Sequence, residues 1–333
     1  MGVLRLTLAI AVVLSHLSIR FFNFHPGVVA VVSFLLMSGY VMTLLINRHY
    51  TDLSRIPVFY VDRAYRLFPQ FLLYASATML LVRFGIDPPS SMSACTPAKL
   101  AANAAMLPLG YTWRIGLDDC QLMPQAWSLG LEFSFYLVAP WLLLAIGRSA
   151  LRAVMVVSAM VFIIAAFGVV DSDHFGYRLL PGTLFIFMTG MAFADEKRIG
   201  KAAPYLVFAF ASVLFAATLV WRPLYARHYN KEVLAGLLVG IPLLGLLKRR
   251  RFSAVDEYLG NLSYGVFLNH NLVFWLIERY TGKTETELNA PLAIFGIAVS
   301  FGLAAATHWL VERPVLHLRR RIRYRAETIA VTA

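Results

Sequence analysis

The sequence predicts an all-α integral membrane protein: a bundle of about ten transmembrane helices with both termini in the cytoplasm. Hydrophobic residues make up 59% of the chain and charged residues only 14%, a balance that soluble globular domains do not show. The chain divides into ten apolar runs of roughly membrane-spanning length. Lys and Arg concentrate in alternate connections between these runs, which fixes the expected orientation. No nucleic-acid-binding module is visible, so we attribute the net charge of +12 to topology and to contact with anionic membrane lipids.

The ten apolar runs define the predicted helices, at about 1.5 Å of axis per residue. They cover residues 3–22, 26–47, 68–85, 127–147, 151–170, 178–194, 204–221, 232–247, 260–278 and 291–312. An N-terminus on the inside places most of the 30 Lys and Arg residues in cytoplasmic segments, including the basic runs 248–251 and 319–321. We therefore expect a transmembrane domain over residues 1–318 and a basic cytoplasmic tail over residues 319–333.

The first predicted helix carries two ionisable residues, Arg5 and His16. They are eleven positions apart, close to three helical turns, so they share a face and lie roughly 16 Å apart along the axis. Ionisable side chains within a membrane helix are costly and generally functional. The alternatives are an interfacial anchor for Arg5 and a packing role for His16.

Two further segments carry polar groups. Ser38 and Gly39 interrupt the apolar second helix and fit either close helix packing or a binding tunnel. In the cytoplasmic segment 48–69, Arg63 and Arg66 share a helical face, and we expect Pro69 to close the segment before the third membrane helix. Paired guanidinium groups bind phosphate in a fork geometry, so Arg63 and Arg66 could bind a nucleotide-like ligand. The alternative is that they anchor the segment at the cytoplasmic face, as the positive-inside rule describes.

The longest connection, residues 86–126, is expected outside the membrane. It holds both cysteines of the chain, Cys95 and Cys120, and an oxidising compartment favours a disulfide between them, although two free thiols stay possible. A loop this long in a helical bundle is usually functional, and this one could cap an acceptor site.

The fourth and ninth predicted helices add polar groups at the depth expected for His16. Glu132 is a candidate partner that orients the His16 imidazole as a general base; a structural ion pair with an arginine is the alternative. Around these two residues we expect a supporting polar layer. Its members are Ser38, Ser128, Tyr136, Ser263, Tyr264 and His270.

Together these segments resemble the membrane-bound acyltransferase family 3, which includes O-acetyltransferases of bacterial surface polysaccharides. The resemblance rests on Arg5 and His16 with ten residues between them, and on five motifs that follow in order. The motifs are SFLLMSGY, RAYRLFP, WSLGLEFSFY, SYGVFLNHNLV and the closing ERP.

The resemblance implies a multi-pass protein of the bacterial inner membrane that transfers an acyl group, usually acetyl, from cytoplasmic acyl-CoA to a hydroxyl. It makes His16 the essential catalytic residue and links Arg5 to the acyl donor; Arg63 and Arg66 would hold the CoA phosphates. A glycan is the expected acceptor, and no metal is expected. The competing class is a proton-coupled transporter or flippase of a lipid or glycan. Many such transporters are built from inverted repeats, and the absence of a detectable repeat in this sequence counts against that class.

Overall fold

The computed structural model describes residues 1–248, 250, 253–284 and 287–319, and throughout this part of the chain the regular structure is helical. Ten long helices follow one another. They are α1 (Gly2–His16), α2 (Pro26–His49), α3 (Ile56–Arg83), α4 (Trp127–Leu144), α5 (Arg148–Ala166), α6 (Leu180–Ala194), α7 (Ala203–Val220), α8 (Asn230–Leu247), α9 (Ala254–Thr281) and α10 (Ala290–Thr307).

Short helical segments connect or extend these helices. Four are α-helical: Pro97–Ala104, Thr112–Ile115, Glu196–Ile199 and Arg222–Tyr225. The 3-10 turns whose full extent lies within the described residues are Leu53–Arg55, Ser90–Met92, Leu107–Tyr111 and Pro124–Ala126. Two are π-helical, His174–Arg178 and His308–Glu312, and the second continues α10.

Each of the ten predicted segments coincides with one long helix. Seven spans among the described residues are long and apolar enough to cross a membrane, and they contain α2, α4, α5, α6, α7, α8 and α10. The chain is therefore a multi-pass membrane protein. Helix α1 has 15 residues, and α3 and α9 carry more polar side chains, so the total of ten crossings and the orientation of the termini stay predictions.

Several helix boundaries differ from the sequence prediction, and the largest difference is at α3, which begins at Ile56, twelve residues before the predicted start at residue 68. Helix α1 ends at His16, six residues before the predicted end, because Ser18 adopts a left-handed backbone with φ of 59°, which terminates a helix although the apolar composition continues. Pro69 lies inside the continuous helix α3, where it removes one backbone hydrogen bond without ending the helix. Of the predicted tail, only Arg319 falls within the described residues.

The chain forms two compact units, and the first contains Met1–Ile19, Val58–Gly130 and Phe252–Ala333. In this unit α1 packs against α9, and the two helices run parallel. Gly2 lies against Gly260 at one end, where a Cβ on Gly2 would come within 1.5 Å of the Asp256 carbonyl oxygen, and His16 lies against His270 at the other. An apolar core that includes Val13, Val266 and Ala304 joins α1, α9 and α10.

The first turn of α1 is held by Asp256, which precedes the predicted ninth membrane span. The backbone N–H groups of Gly2 and Val3 donate to its carboxylate at 2.8 and 3.0 Å. Burial acts to raise the pKa of Asp256, but these hydrogen bonds and the terminal ammonium group outweigh burial and lower it to about 2. The carboxylate is therefore charged at neutral pH and stabilises the positive end of the helix.

The second unit contains Arg20–Pro57 and Leu131–Arg251. Here α2 and α6 cross closely through two glycines. A Cβ on Gly39 would come within 1.9 Å of the Phe187 carbonyl oxygen, and one on Gly190 within 1.9 Å of the Leu36 carbonyl oxygen. Gly39 is thus a helix-packing residue, as one of the two sequence readings proposed.

Candidate active site

A cavity of about 400 Å³ opens at the C-terminal end of α1, beside His16. Its wall consists of His16, Thr78 of α3, the loop residues Pro89, Ser90, Ser91, Leu122 and Pro124, the α9 residues Asn271, Leu272, Trp275 and Glu278, and Thr284. We call this the His16 cavity. Its volume is that of a small-ligand site. Because α1 ends at His16, the imidazole lies at the end of the helix, half-buried and in the cavity wall.

His270 is the aromatic neighbour of His16. The two ring centroids are 5.1 Å apart with an angle of 49° between the planes, and His270 is fully buried. Nδ1 of His270 lies 3.3 Å from the Val266 carbonyl oxygen, which can only accept, so Nδ1 carries the proton. Nε2 is then an acceptor, and it has no hydrogen-bond partner among the described residues.

One face of α9 forms a polar wall of the cavity. Asn271, Trp275 and Glu278 follow at positions i, i+4 and i+7 and so lie above one another. The Asn271 amide nitrogen donates to Oε1 of Gln125 at 2.6 Å, and Gln125 is itself oriented because its amide donates to the Leu268 carbonyl oxygen at 2.7 Å. The orientation of the Asn271 amide is therefore fixed, with its oxygen directed away from Gln125.

The opposite wall comes from the connection between α3 and α4, which is tied together in three ways. Cys95 and Cys120 form a disulfide. Asn103 donates to the Cys120 carbonyl oxygen at 2.7 Å and accepts from the Leu122 N–H at 3.1 Å. The Gln121 N–H donates to the Ser91 carbonyl oxygen at 2.7 Å. These bonds hold Ser91 and Leu122 where they line the cavity.

An exposed ion pair adds to this loop. Lys99 Nζ lies 2.6 Å from Oδ1 of Asp119, and the hydrogen bond from Lys99 lowers the pKa of the Asp119 carboxyl below its usual range. The Asp119 carboxyl is therefore charged at neutral pH.

A buried charged cluster lies where α3 meets the extension of α10. Asp62 accepts from Arg63 and from Arg319, the latter through Nε at 3.1 Å, and it is fully buried. Arg66 pairs with Glu312, which also lies 2.8 Å from Nδ1 of His308. We call these six residues the basic cluster, because among them three guanidinium groups accompany two carboxylates.

Tyr264 belongs to the basic cluster rather than to the neighbourhood of His16. Its ring centroid lies 5.3 Å from the Arg66 guanidinium carbon, and its hydroxyl donates to the Leu67 carbonyl oxygen at 2.8 Å. Arg5 is half-buried one turn into α1, and eleven residues separate it from His16, or roughly 16 Å of axis.

A stripe of polar residues on α3 leads from the basic cluster to the His16 cavity. Its members recur every four residues: Asp62, Arg66, Gln70, Tyr74 and Thr78. In its buried middle, the Gln70 amide and the Tyr74 hydroxyl lie 3.2 and 2.7 Å from Oγ1 of Thr307, and Asn269 donates to the Tyr74 hydroxyl at 3.3 Å. From Arg66 to Thr78 the stripe spans roughly 18 Å.

Glu132 lies in the second unit, within a small hydrogen-bonded group. The hydroxyls of Ser38 and Tyr136 both donate to its Oε1 at 2.6 Å. Three of the predicted polar residues therefore meet. The pairing of Glu132 with His16 stays a prediction.

The other two serines of the expected polar layer are satisfied locally. Ser128 donates to the Gln125 carbonyl oxygen at 3.3 Å and Ser263 to the Gly260 carbonyl oxygen at 2.7 Å, each three residues back in the chain. Such bonds are a common alternative for serine in a helix.

Sequence reasoning missed most of the cavity wall and the polar stripe. The four-residue spacing from Asp62 to Thr78 was a readable signal for the stripe. Trp275 and Glu278 gave no comparable signal, because a tryptophan and a glutamate near a helix end are typical of any membrane interface. In the described part of the chain, no three His, Cys, Asp or Glu side chains are grouped so that they could hold a metal ion.

Comparison with known proteins adds a family to this geometry. The profile described as an acyltransferase domain, that of acyltransferase family 3, matches residues 1–309. An uncharacterised protein of Aquifex aeolicus (strain VF5) is 33% identical over 211 residues, which cover 61% of this chain and 90% of that protein. No solved structure gives a significant match. The profile match extends over nearly the whole chain and includes both Arg5 and His16, and the chain therefore belongs to the acyltransferase family 3.

Proposed function

We propose that this protein transfers an acetyl group from cytoplasmic acetyl-CoA to a hydroxyl of a saccharide presented at the outer side of the cell inner membrane. The observation that supports this most directly is the position of His16. An imidazole in the wall of a cavity of ligand size, in a chain of an acyltransferase family, is placed to act as a general base. Membrane lipids contact the apolar helices, and the basic connections contact anionic headgroups.

The donor would bind at the basic cluster. Guanidinium groups bind phosphate in a fork geometry, and Arg66 and Arg63 are close to the start of the polar stripe. The carboxylates that now pair with these arginines hold the guanidinium groups in position, and phosphate oxygens would share them. Amide and hydroxyl groups along the stripe are suitable partners for the two amides of the pantetheine arm, whose extended length is comparable to the distance that separates the cluster from the cavity.

The acceptor would enter the His16 cavity. In the transfer step its hydroxyl gives its proton to His16, and the oxygen forms a bond to the thioester carbonyl carbon. The carbon–sulfur bond breaks, and the sulfur of CoA takes the proton back from His16, so the base is regenerated. A two-step route through acetyl-His16 has the same overall balance.

Release of free CoA from acetyl-CoA by the detergent-purified protein, with a panel of bacterial glycans as acceptors, tests the proposal. We expect acceptor-dependent release in the wild type and a loss of at least a hundredfold in His16→Ala, since general bases contribute about 10²–10⁴-fold. The control is His174→Ala, because His174 is a half-buried ring that bonds Asp171 outside the cavity. Failure of the wild type to bind acetyl-CoA would refute the proposal and leave the transporter as the function to test.

A further inference from the structure

Several polar groups in the wall of the His16 cavity have no role in the transfer step. Those farthest from His16 affect which acceptor the cavity can bind. We propose that Glu278 is a specificity-determining residue: the cavity accepts an uncharged or amine-bearing saccharide and rejects one that carries a carboxylate or phosphate near Glu278. The inference rests on the proposed function, since it takes the cavity to be the acceptor site.

The charge of the cavity wall is the first argument. Among the described wall residues Glu278 is the single permanent charge, and neither Lys nor Arg is present. The Glu278 side chain is half-buried, and in the described part of the chain no cation lies within ion-pair distance of it. A half-buried carboxylate without a counter-ion repels an anionic ligand and attracts an ammonium group.

The hydrogen-bonding groups beside Glu278 are the second argument. Oδ1 of Asn271 and Nε1 of Trp275 are buried and have no hydrogen-bond partner among the described residues, although both side chains line the cavity. A buried polar atom without a hydrogen-bond partner is unfavourable, so a ligand that supplies the partner is favoured. One atom accepts and the other donates, so a ligand hydroxyl, which does both, is a suitable partner for each.

The position of Glu278 is the third argument. It lies eight residues beyond His270, roughly 12 Å farther along α9 than the level of His16. A ligand whose reacting hydroxyl is beside His16 must extend over this distance to meet the carboxylate, which is more than one pyranose ring spans. Glu278 therefore contacts a second sugar ring and selects its charge without contacting the reacting atoms.

Photocrosslinking of the full-length, detergent-purified protein tests the proposal. Three diazirine-bearing cellobiose probes are used, identical except at C6 of the non-reducing ring, where they carry a hydroxyl, an amine or a carboxylate. Labelling of the peptide that contains residues 271–278 is quantified by mass spectrometry. We expect the hydroxyl and amine probes to label this peptide at least tenfold more than the carboxylate probe. In Glu278→Gln, an isosteric change, the three probes should label within about twofold of one another.

The control variant is Asp118→Asn, which removes an exposed carboxylate from the neighbouring loop and should leave the tenfold discrimination intact. Equal labelling by the carboxylate probe in the wild type, or no labelling of this peptide by any probe, would overturn the inference. CoA release is measured on the same preparations. Selective labelling without CoA release would uphold the sugar site and refute the acyltransferase proposal, so the two ideas fail separately.

Discussion

At the scale of single residues, the pair formed by His16 at the end of α1 and His270 in the middle of α9 carries the sharpest prediction. The proton on Nδ1 of His270 leaves Nε2 free to accept from His16, which would fix the tautomer that exposes a basic nitrogen to the acceptor. His270→Phe should lower kcat about tenfold or more with KM for acetyl-CoA unchanged, and His270→Gln, which retains an acceptor atom, should recover part of the loss. A rise in KM with kcat intact would instead assign His270 a role in binding.

Asp62 has the largest predicted effect on stability. It is fully buried between Arg63 and Arg319, so Asp62→Ala would remove the carboxylate to which both buried guanidinium groups donate. Removal of one partner of a buried ion pair costs about 3–5 kcal/mol. We expect a clearly lower Tm in thermal unfolding of the solubilised protein. The control, Glu257→Ala, removes an exposed carboxylate and should change stability by about 0.5 kcal/mol or less.

A substitution at Arg66 tests the proposed acetyl-CoA site at the basic cluster. Arg66→Gln keeps a polar side chain beside Glu312 but removes the charge, and loss of a charged hydrogen bond to phosphate costs about 1.5–3 kcal/mol. Acetyl-CoA should then raise the Tm of the variant much less than that of the wild type. Arg313→Gln is the matched control, because Arg313 is exposed and stacks on Trp309 with 4.2 Å between its guanidinium carbon and the ring centroid. If acetyl-CoA raised the Tm of both variants equally, the donor would have to bind at a site other than the basic cluster.

At the scale of elements, the connection between α3 and α4 is a preorganised wall rather than a flexible loop. The Cys95–Cys120 disulfide closes a segment with a sequence separation of 25, for which loop-closure entropy predicts about 3 kcal/mol of stabilisation. In the double variant Cys95→Ser/Cys120→Ser, we expect saccharide probes to label residues 271–278 less. Thermal protection by acetyl-CoA should persist, because the basic cluster lies at the other end of α3. Loss of both the probe labelling and the thermal protection would show that the whole first unit depends on this loop for its fold.

Helix positions were predictable from sequence because apolar runs of this length have few alternatives in a membrane protein. The end of α1 and the continuation of α3 through Pro69 were not, because they depend on backbone conformation at Ser18 and on packing around Pro69, which composition does not record. His16, Arg66 and Glu132 were identified by residue type and depth. The cavity wall was not, since the direction in which Trp275 and Glu278 point depends on where α9 packs.

At the scale of the whole molecule, the predicted orientation can be measured directly. The described residues contain no free cysteine, so one introduced thiol is the single target of a maleimide. With both termini in the cytoplasm, Thr284→Cys should react with a membrane-impermeant maleimide on intact cells, and Lys201→Cys should react only after permeabilisation. The opposite pattern would invert the topology and with it the sides assigned to donor and acceptor.

The contacts of α1 with α9 at both ends of α1 have a consequence for variants far from the active site. His16 is the last residue of a helix whose first turn is fixed by Asp256 and by the contact of Gly2 with Gly260, roughly 21 Å away. A rigid helix transmits an axial displacement along its whole length, so a larger residue at Gly260 would shift the imidazole relative to the cavity without contact with any ligand. Loss of activity in such a variant would reflect misplacement of the base, and a screen for inactive mutants would find the far end of α1 as readily as the active site.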